Sequence, residues 1–183
     1  MLIKATDFKG EVFVSSTLEE FGNENNLQYF IDKYASQLLL YCLGKDLFET
    51  LKIYLDDDKM IKEDAPEEWK EFSEFAKEPL LFYVFWYYYK NENSQLIISS
   101  KNSSTTNINQ KLVNVWNEFL RLYQGNICTT PTVVYINNIR FTDYLGTNIE
   151  NIQKSLVQYV IDTFEYNDSI VFSNSSNSNS LGI

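Results

Sequence analysis

One apolar stretch decides the fold of this chain: residues 80–89 read LLFYVFWYYY and follow directly on Pro79. The stretch is too short for a membrane span, which takes about 20 apolar residues. A helix without a polar face has to be surrounded on all sides, by its own domain or by a neighbouring subunit. We therefore expect a central core helix of one domain, or a helix that packs outward tyrosines against another subunit.

Helical periodicity continues on both sides of this stretch. A Pro-Glu-Glu sequence at residues 66–68 is typical of a first helical turn and begins the helix that leads into the stretch. Gly44 and Gly125 are expected to end the helices before them, and Pro79 to interrupt or kink its own helix. The sequence predicts a mainly α fold, a helical bundle. Apolar residues at three- and four-residue spacing predict the other helices, at residues 26–43, 46–55, 107–124 and 149–164.

Short β-like stretches and a polar tail complete the pattern. Strands are predicted at residues 11–15 and 96–98, and a hairpin at residues 132–141. The Ser/Asn-rich residues 173–183 are of low complexity and are not expected to fold alone. The predicted organisation is a helical core domain at 1–125, a strand–helix extension packed on it at 126–172, and a flexible tail at 173–183.

The chain is acidic, and its charge is uneven. Its 15 Lys and Arg against 25 Asp and Glu give a formal net charge of −10. Residues 1–90 hold 10 basic and 18 acidic residues, a net of −8, whereas residues 91–183 hold 5 and 7, a net of −2. Such a surface disfavours sequence-independent binding to nucleic acid and docking on anionic membranes. No apolar signal segment opens the sequence. Protein partners and a cytoplasmic location are therefore expected.

No residue pattern in the sequence points to catalysis. The chain contains no histidine, which removes the commonest general base and transition-metal ligand, and its 6 glycines form no phosphate-binding loop. The Asp triplet at residues 56–58 is expected to be a solvated turn, and the glutamates of residues 67–78 the exposed face of a helix. Cys42 and Cys128 are expected to be inert packing residues. The prediction is a protein without enzymatic activity, cofactor or metal.

Four segments, taken in order, carry a family resemblance. They are LIK at 2–4 with DFKGE at 7–11, YFIDKY at 29–34 running on to LGKDLF at 43–48, WYYY at 86–89, and VWNE at 115–118. Together they resemble the head-to-tail connector, or neck adaptor, proteins of tailed bacteriophages, of the type found in crAss-like phages that infect Bacteroides-type bacteria. The resemblance covers residues 1–125 and does not extend to residues 126–183.

The resemblance implies a virion structural protein. Members of that family form a ring, usually of twelve copies, that lies beneath the portal and joins the capsid vertex to the tail, and DNA passes the channel without specific binding. The chain is then made in the host bacterial cytoplasm and resides in the virion neck. Its partners are its own copies, the portal protein and other neck or tail proteins, with no membrane. Aromatic side chains are enriched in such interfaces, and the candidate interface residues are Phe8, Phe13, Tyr87, Tyr88 and Tyr89.

Two other functions fit the same sequence. The negative charge of residues 1–90 suggests an acidic monomeric binding module, such as an inhibitor or DNA mimic acting on a basic partner protein. The association of such a module with its partner would be tight and salt-sensitive. The third alternative is an enzyme that relies on Glu, Lys or Tyr, and it requires a pocket of carboxylates with strongly perturbed pKa values.

Overall fold

The fold is mainly helical, as the sequence predicts. The computed structural model describes residues 2–14, 24–99, 105–125, 135–136, 139–140, 155–170 and 172. Its helices are α1 (Glu24–Phe30), a π-helical segment (Ile31–Ala35), α2 (Ser36–Ile53), α3 (Glu67–Ser99), α4 (Thr105–Gln124) and α5 (Leu156–Phe164). Two 3-10 turns, Ala5–Asp7 and Gly10–Val12, precede α1. Strands β1 (Tyr135–Ile136) and β2 (Ile139–Arg140) follow α4 in the sequence.

Helix α3 lies at the centre of the bundle, because it contacts α1, the π-helical segment, α2, α4 and α5. In the apolar stretch 80–89 most side chains are buried, and the others are half-buried. Ring centroids lie 4.8 Å apart between Trp86 and Trp116 of α4, and 5.6 Å apart between Tyr88 and Phe30 of α1. The burial agrees with the interpretation of this stretch as a central core helix.

Helix α3 runs through Pro79 and ends only at Ser99, so of the two predicted alternatives, an interruption or a kink, the interruption is wrong. A proline inside a helix removes one backbone hydrogen bond. Here Pro79 is buried and its neighbour Leu80 is fully buried, so packing outweighs that loss. The strand predicted at residues 96–98 is also wrong: the segment continues α3, where the backbone groups pair within the helix and need no partner strand. None of the helices described is both long and apolar enough to cross a membrane.

The N-terminal residues form turns and not the strand predicted at residues 11–15. Gly10 has a φ of +62°, and the Phe13 N–H donates to the Gly10 carbonyl at 3.2 Å, which closes a 3-10 turn. Val12 is buried in the core. The apolar residues that suggested a strand therefore pack from a turn, and Ser15 lies outside the described residues.

A break inside α2 occurs where the sequence predicts a helix end. Gly44 has φ 67° and ψ 179°, a conformation that is essentially restricted to glycine. In the helical segment before the break, Tyr34 stacks on Tyr87 with ring centroids 3.9 Å apart and 10° between the ring planes. The second part of α2 ends at Ile53, and the Asp triplet at 56–58 follows in a turn, as predicted.

The C-terminal part of the chain adds one helix to the same core. Helix α5 begins after Ser155, whose hydroxyl oxygen accepts a hydrogen bond from the Gln158 N–H at 3.2 Å. Such an N-cap satisfies one of the backbone donors that a helix leaves open at its start. Tyr159 and Val160 join the hydrophobic core built by α2, α3 and α4. The packing of α5 on the helices of residues 1–125 follows from these buried contacts.

The predicted hairpin is present as a two-stranded antiparallel sheet. Its paired residues are Tyr135 with Arg140 and Ile136 with Ile139. The predicted hairpin turn, the first residues of the last predicted helix (149–154) and the predicted tail (173–183) lie outside the described residues.

Candidate interaction surfaces

The five aromatic residues predicted at a subunit interface occupy different environments. Phe8 and Tyr88 are only 4% and 3% exposed. The prediction that they contact a neighbouring subunit is therefore wrong, because both rings belong to the core of this chain. Phe13 is 57% exposed, and Tyr87 and Tyr89 are half-buried. For these three residues a place at an interface stays a prediction.

Two lysines lie over aromatic rings near these residues. The Lys33 ammonium lies 5.6 Å and 4.9 Å from the ring centroids of Tyr29 and Tyr34. The Lys111 ammonium lies 4.8 Å from the ring centroid of Tyr89. The negative face of each ring attracts the cation, and contact with the Tyr29 side chain raises the pKa of Lys33. Positive charge from Lys33 and Lys111 thus lies over these rings, on a chain whose net charge is negative.

An open groove of about 700 Å³ lies between the turn at Gly10 and helix α4. Arg121 Nε lies 2.9 Å from Glu118 Oε2, and this contact raises the pKa of Arg121. The lining holds two acidic and two basic side chains, so their charges balance. The residues that line it are Gly10, Glu11, Lys111, Asn114, Val115, Asn117, Glu118 and Arg121.

A second surface lies at the break in α2. Carbonyl groups in the last turn before a helix ends lack donors from within the helix. The C-terminal segment supplies two donors: the Ile170 N–H donates to the Tyr41 carbonyl at 2.9 Å, and the Ser169 hydroxyl to the Cys42 carbonyl at 2.6 Å. We call residues 166–170 and 172 the C-terminal strap. The strap therefore caps the broken helix.

Tyr166 of the strap covers the break itself. A Cβ atom placed on Gly44 would lie 2.7 Å from the Tyr166 ring carbon Cζ and closer still to its hydroxyl oxygen. Glycine is thus needed at position 44 for two reasons, its left-handed φ and the close approach of a ring. A side chain at this position would displace the Tyr166 ring.

Phe172 anchors the far end of the strap. The buried Gln124 amide makes two hydrogen bonds with it: Nε2 donates to the Phe172 carbonyl at 2.7 Å, and Oε1 accepts from the Phe172 N–H at 2.8 Å. The Phe172 ring centroid lies 5.4 Å from those of Phe119 and Tyr123, and the Tyr123 hydroxyl donates to the Ile170 carbonyl at 3.0 Å. A buried polar group left without a partner costs about 1–3 kcal/mol. Gln124 and the strap therefore stabilise each other.

The buried titratable groups have no signs of reactivity. Burial raises the pKa of the Cys42 thiol and of the Tyr83 and Tyr123 hydroxyls. A nucleophilic thiol requires a lowered pKa. Cys42 is fully buried, which agrees with its expected packing role, and Cys128 lies outside the described residues.

The carboxylates singled out in the sequence have structural partners or face solvent. Asp56 Oδ1 accepts from the Met60 N–H at 2.8 Å, and Asp58 pairs with Lys4 at 3.1 Å, so the Asp triplet holds a turn. The glutamates of residues 67–78 are exposed, as predicted for a solvated helix face. In the part of the chain that the structure describes, no three His, Cys, Asp or Glu side chains are grouped to hold a metal ion.

Sequence reasoning missed the strap and the groove that holds it. We call this the strap groove, and its lining includes Tyr41 and Cys42 of α2 and Phe119, Tyr123 and Gln124 of α4. Phe172 ends a run of three apolar residues, 170–172, that is too short to have apolar periodicity, and Gln124 resembles any polar residue at a helix end. The available signal was Gly44, because a glycine that ends a helix leaves carbonyl groups for another segment to bind. The sequence contains no indication of which segment that is.

Comparison with known proteins identifies no relative of this chain. No family model, no curated protein and no solved structure matches it.

Proposed function

We propose that this chain is a virion structural protein, a subunit of the neck ring that lies beneath a phage portal and joins the capsid vertex to the tail. Its partners in this function are its own copies, the portal protein and further neck or tail proteins. DNA passes through the ring without specific binding. The proposal starts from the resemblance of four sequence segments to connector proteins.

The observation that supports it most is the packing of these four segments into one core. Leu2, in the first segment, is buried. Phe30 of the second segment contacts Tyr88 of the third at 5.6 Å between ring centroids. Trp86 of the third contacts Trp116 of the fourth at 4.8 Å. Residues that resemble one family in sequence thus form one structural unit, which favours a shared fold over a chance likeness.

The exposed apolar side chains supply material for subunit contacts. A ring built from identical subunits needs two different faces on each subunit. Burying apolar surface in such a contact stabilises it by about 25 cal/mol per Å². Among the residues that the structure describes, the large apolar ones that are exposed in the single chain are Phe13, Tyr29, Leu40, Ile53 and Ile170.

The acidic surface suits a channel that DNA traverses. Residues 56–78 carry 10 Asp and Glu against 4 Lys, a net charge of −6, and all ten carboxylate residues are exposed. Such a surface repels the phosphate backbone and prevents adhesion of the duplex. A ring that turns this surface inward would let DNA slide.

The mass of the purified protein, alone and with its portal, tests the proposal. We expect masses of about twelve 21.5-kDa subunits, or a complex in which such a ring binds the portal. Phe13→Asp, which puts a charge on an exposed apolar contact, is expected to weaken assembly. The control is Thr6→Asp, which adds the same charge at an exposed polar residue. A protein that stays monomeric and never joins a portal complex contradicts the proposal.

The acidic surface also supports a second candidate, a monomeric module that binds a basic protein. This candidate predicts a one-to-one complex whose affinity falls steeply as salt screens the charges. Titration against a cationic partner at low and high salt separates the two functions. Affinity that does not change with salt would eliminate the binding module.

A further inference from the structure

The hydrogen bonds of the C-terminal strap reach helices other than the one from which it emerges. The hydrogen bonds of its described residues go to α2 and α4, and none goes to α5. Its contacts therefore depend on the sequence of the strap and not on the chain that carries it. An identical strap from another copy would make the same contacts.

The strap groove on α2 and α4 holds a peptide segment through main-chain and side-chain contacts. Backbone hydrogen bonds hold Ile170 and Phe172, the Ser169 hydroxyl binds the Cys42 carbonyl, and the Phe172 ring enters an aromatic pocket. Main-chain hydrogen bonds supply affinity in this mode of peptide binding, and the side-chain pockets supply specificity. The ligand class is a peptide segment with a hydroxyl residue and, three positions later, a phenylalanine.

The connection between α5 and the strap is a strained hinge. Glu165 has a φ of 54°, which is unfavourable for a residue with a side chain. Tyr166, which covers Gly44, follows directly and already belongs to the strap, so the hinge is the single residue Glu165. Strained hinges favour exchange of an element between copies.

We propose that, in the assembled protein, the strap of one copy occupies the strap groove of the next copy, an inference that rests on the connector function proposed above. Strap and groove are different surfaces of one chain, so the contact is head-to-tail and can close a ring. Ile170 and Leu40, the residue before Tyr41, are 47% and 40% exposed in the single chain. Both lie at this junction, where a neighbouring subunit covers apolar surface.

Crosslinking of isotope-mixed protein tests the exchange. A photoreactive benzophenone amino acid replaces Ile170, whose backbone N–H lies 2.9 Å from the Tyr41 carbonyl. Equal amounts of unlabelled and nitrogen-15-labelled full-length protein are refolded together, irradiated and separated into monomer and oligomer. Mass spectrometry then determines whether the strap and the segment around Tyr41 come from chains with the same label or from chains with different labels.

We expect mixed-label and same-label pairs in equal amounts in the oligomer, and same-label pairs alone in the monomer. Oligomers that contain only same-label pairs would overturn the exchange of straps and leave the ring proposal intact. A protein that stays monomeric at all concentrations would overturn both. Phe172→Ala is expected to reduce the crosslink yield several-fold, and Phe172→Leu, a milder change, to reduce it less. An unchanged crosslink yield in both variants would show that the strap groove does not recognise the phenyl ring of Phe172.

Discussion

Tyr83 and Tyr123 are both fully buried, but their hydroxyl groups have different surroundings. The Tyr123 hydroxyl donates to the Ile170 carbonyl at 3.0 Å, whereas the Tyr83 hydroxyl makes no hydrogen bond of normal geometry to any described residue. Tyr123→Phe is therefore expected to lower the free energy of unfolding by about 1 kcal/mol. Tyr83→Phe is expected to leave it unchanged or to raise it by up to about 1 kcal/mol. Urea unfolding measures the difference, and equal losses would contradict this assignment.

Cys42 makes the stability of the fold depend on pH. Burial raises the pKa of its thiol in the folded chain, whereas an unfolded thiol titrates near pH 8.5. The stabilisation is fully present below about pH 8.5 and is lost above it, because the unfolded chain then releases a proton that the folded chain keeps. The free energy of unfolding should fall by at most about 1.4 kcal/mol per pH unit from this group.

Urea unfolding between about pH 7.5 and 10 measures the slope, because this window spans the titration of an unfolded thiol. Cys42→Ala is the control, since it lacks the thiol and should have a flatter profile. The same slope in both proteins would show that Cys42 is not the cause.

At the scale of elements, Gly44 and Gly10 provide a matched pair. Both have positive φ, +67° and +62°, but a Cβ on Gly44 would collide with Tyr166, whereas a Cβ on Gly10 meets no atom within 4 Å. Gly10→Ala should cost only the backbone strain, about 1–2 kcal/mol. Gly44→Ala should cost more, because its ψ of 179° is essentially restricted to glycine and because the added Cβ also displaces the Tyr166 ring. Urea unfolding gives the two losses, and faster hydrogen exchange of the strap amides is expected in Gly44→Ala alone.

Short apolar stretches were the elements that the sequence predicted least well. Residues 11–15 and 96–98 were predicted as strands, but one stretch contains a turn and the other continues α3. Periodicity over so few residues does not separate strand from buried helix. The longer helical segments were predicted well, because several turns of three- and four-residue spacing define one buried face.

At the scale of the molecule, two truncations separate the strap from the residues beyond it. Deleting residues 173–183 should leave the melting temperature almost unchanged, because a Ser/Asn-rich segment contributes no core. Deleting residues 166–183 also removes Phe172 and leaves the Gln124 amide without its partner. This loss should cost at least about 2 kcal/mol and lower the melting temperature by several degrees. Calorimetry of both variants measures the shifts, and a large drop for the shorter deletion would show that the terminal residues are packed.

The sequence by itself determined the helical class, the central position of residues 80–89, the break at Gly44 and the acidic surface. Each of these follows from local composition or from spacing within a few helical turns. Only the tertiary structure decided that Phe8 and Tyr88 are buried, and that the strap caps α2 and locks onto α4. Two of the hydrogen bonds that hold the strap join residues 47 and 127 positions apart in the chain. Contacts over such separations depend on how the helices pack, and no local pattern in the sequence encodes them.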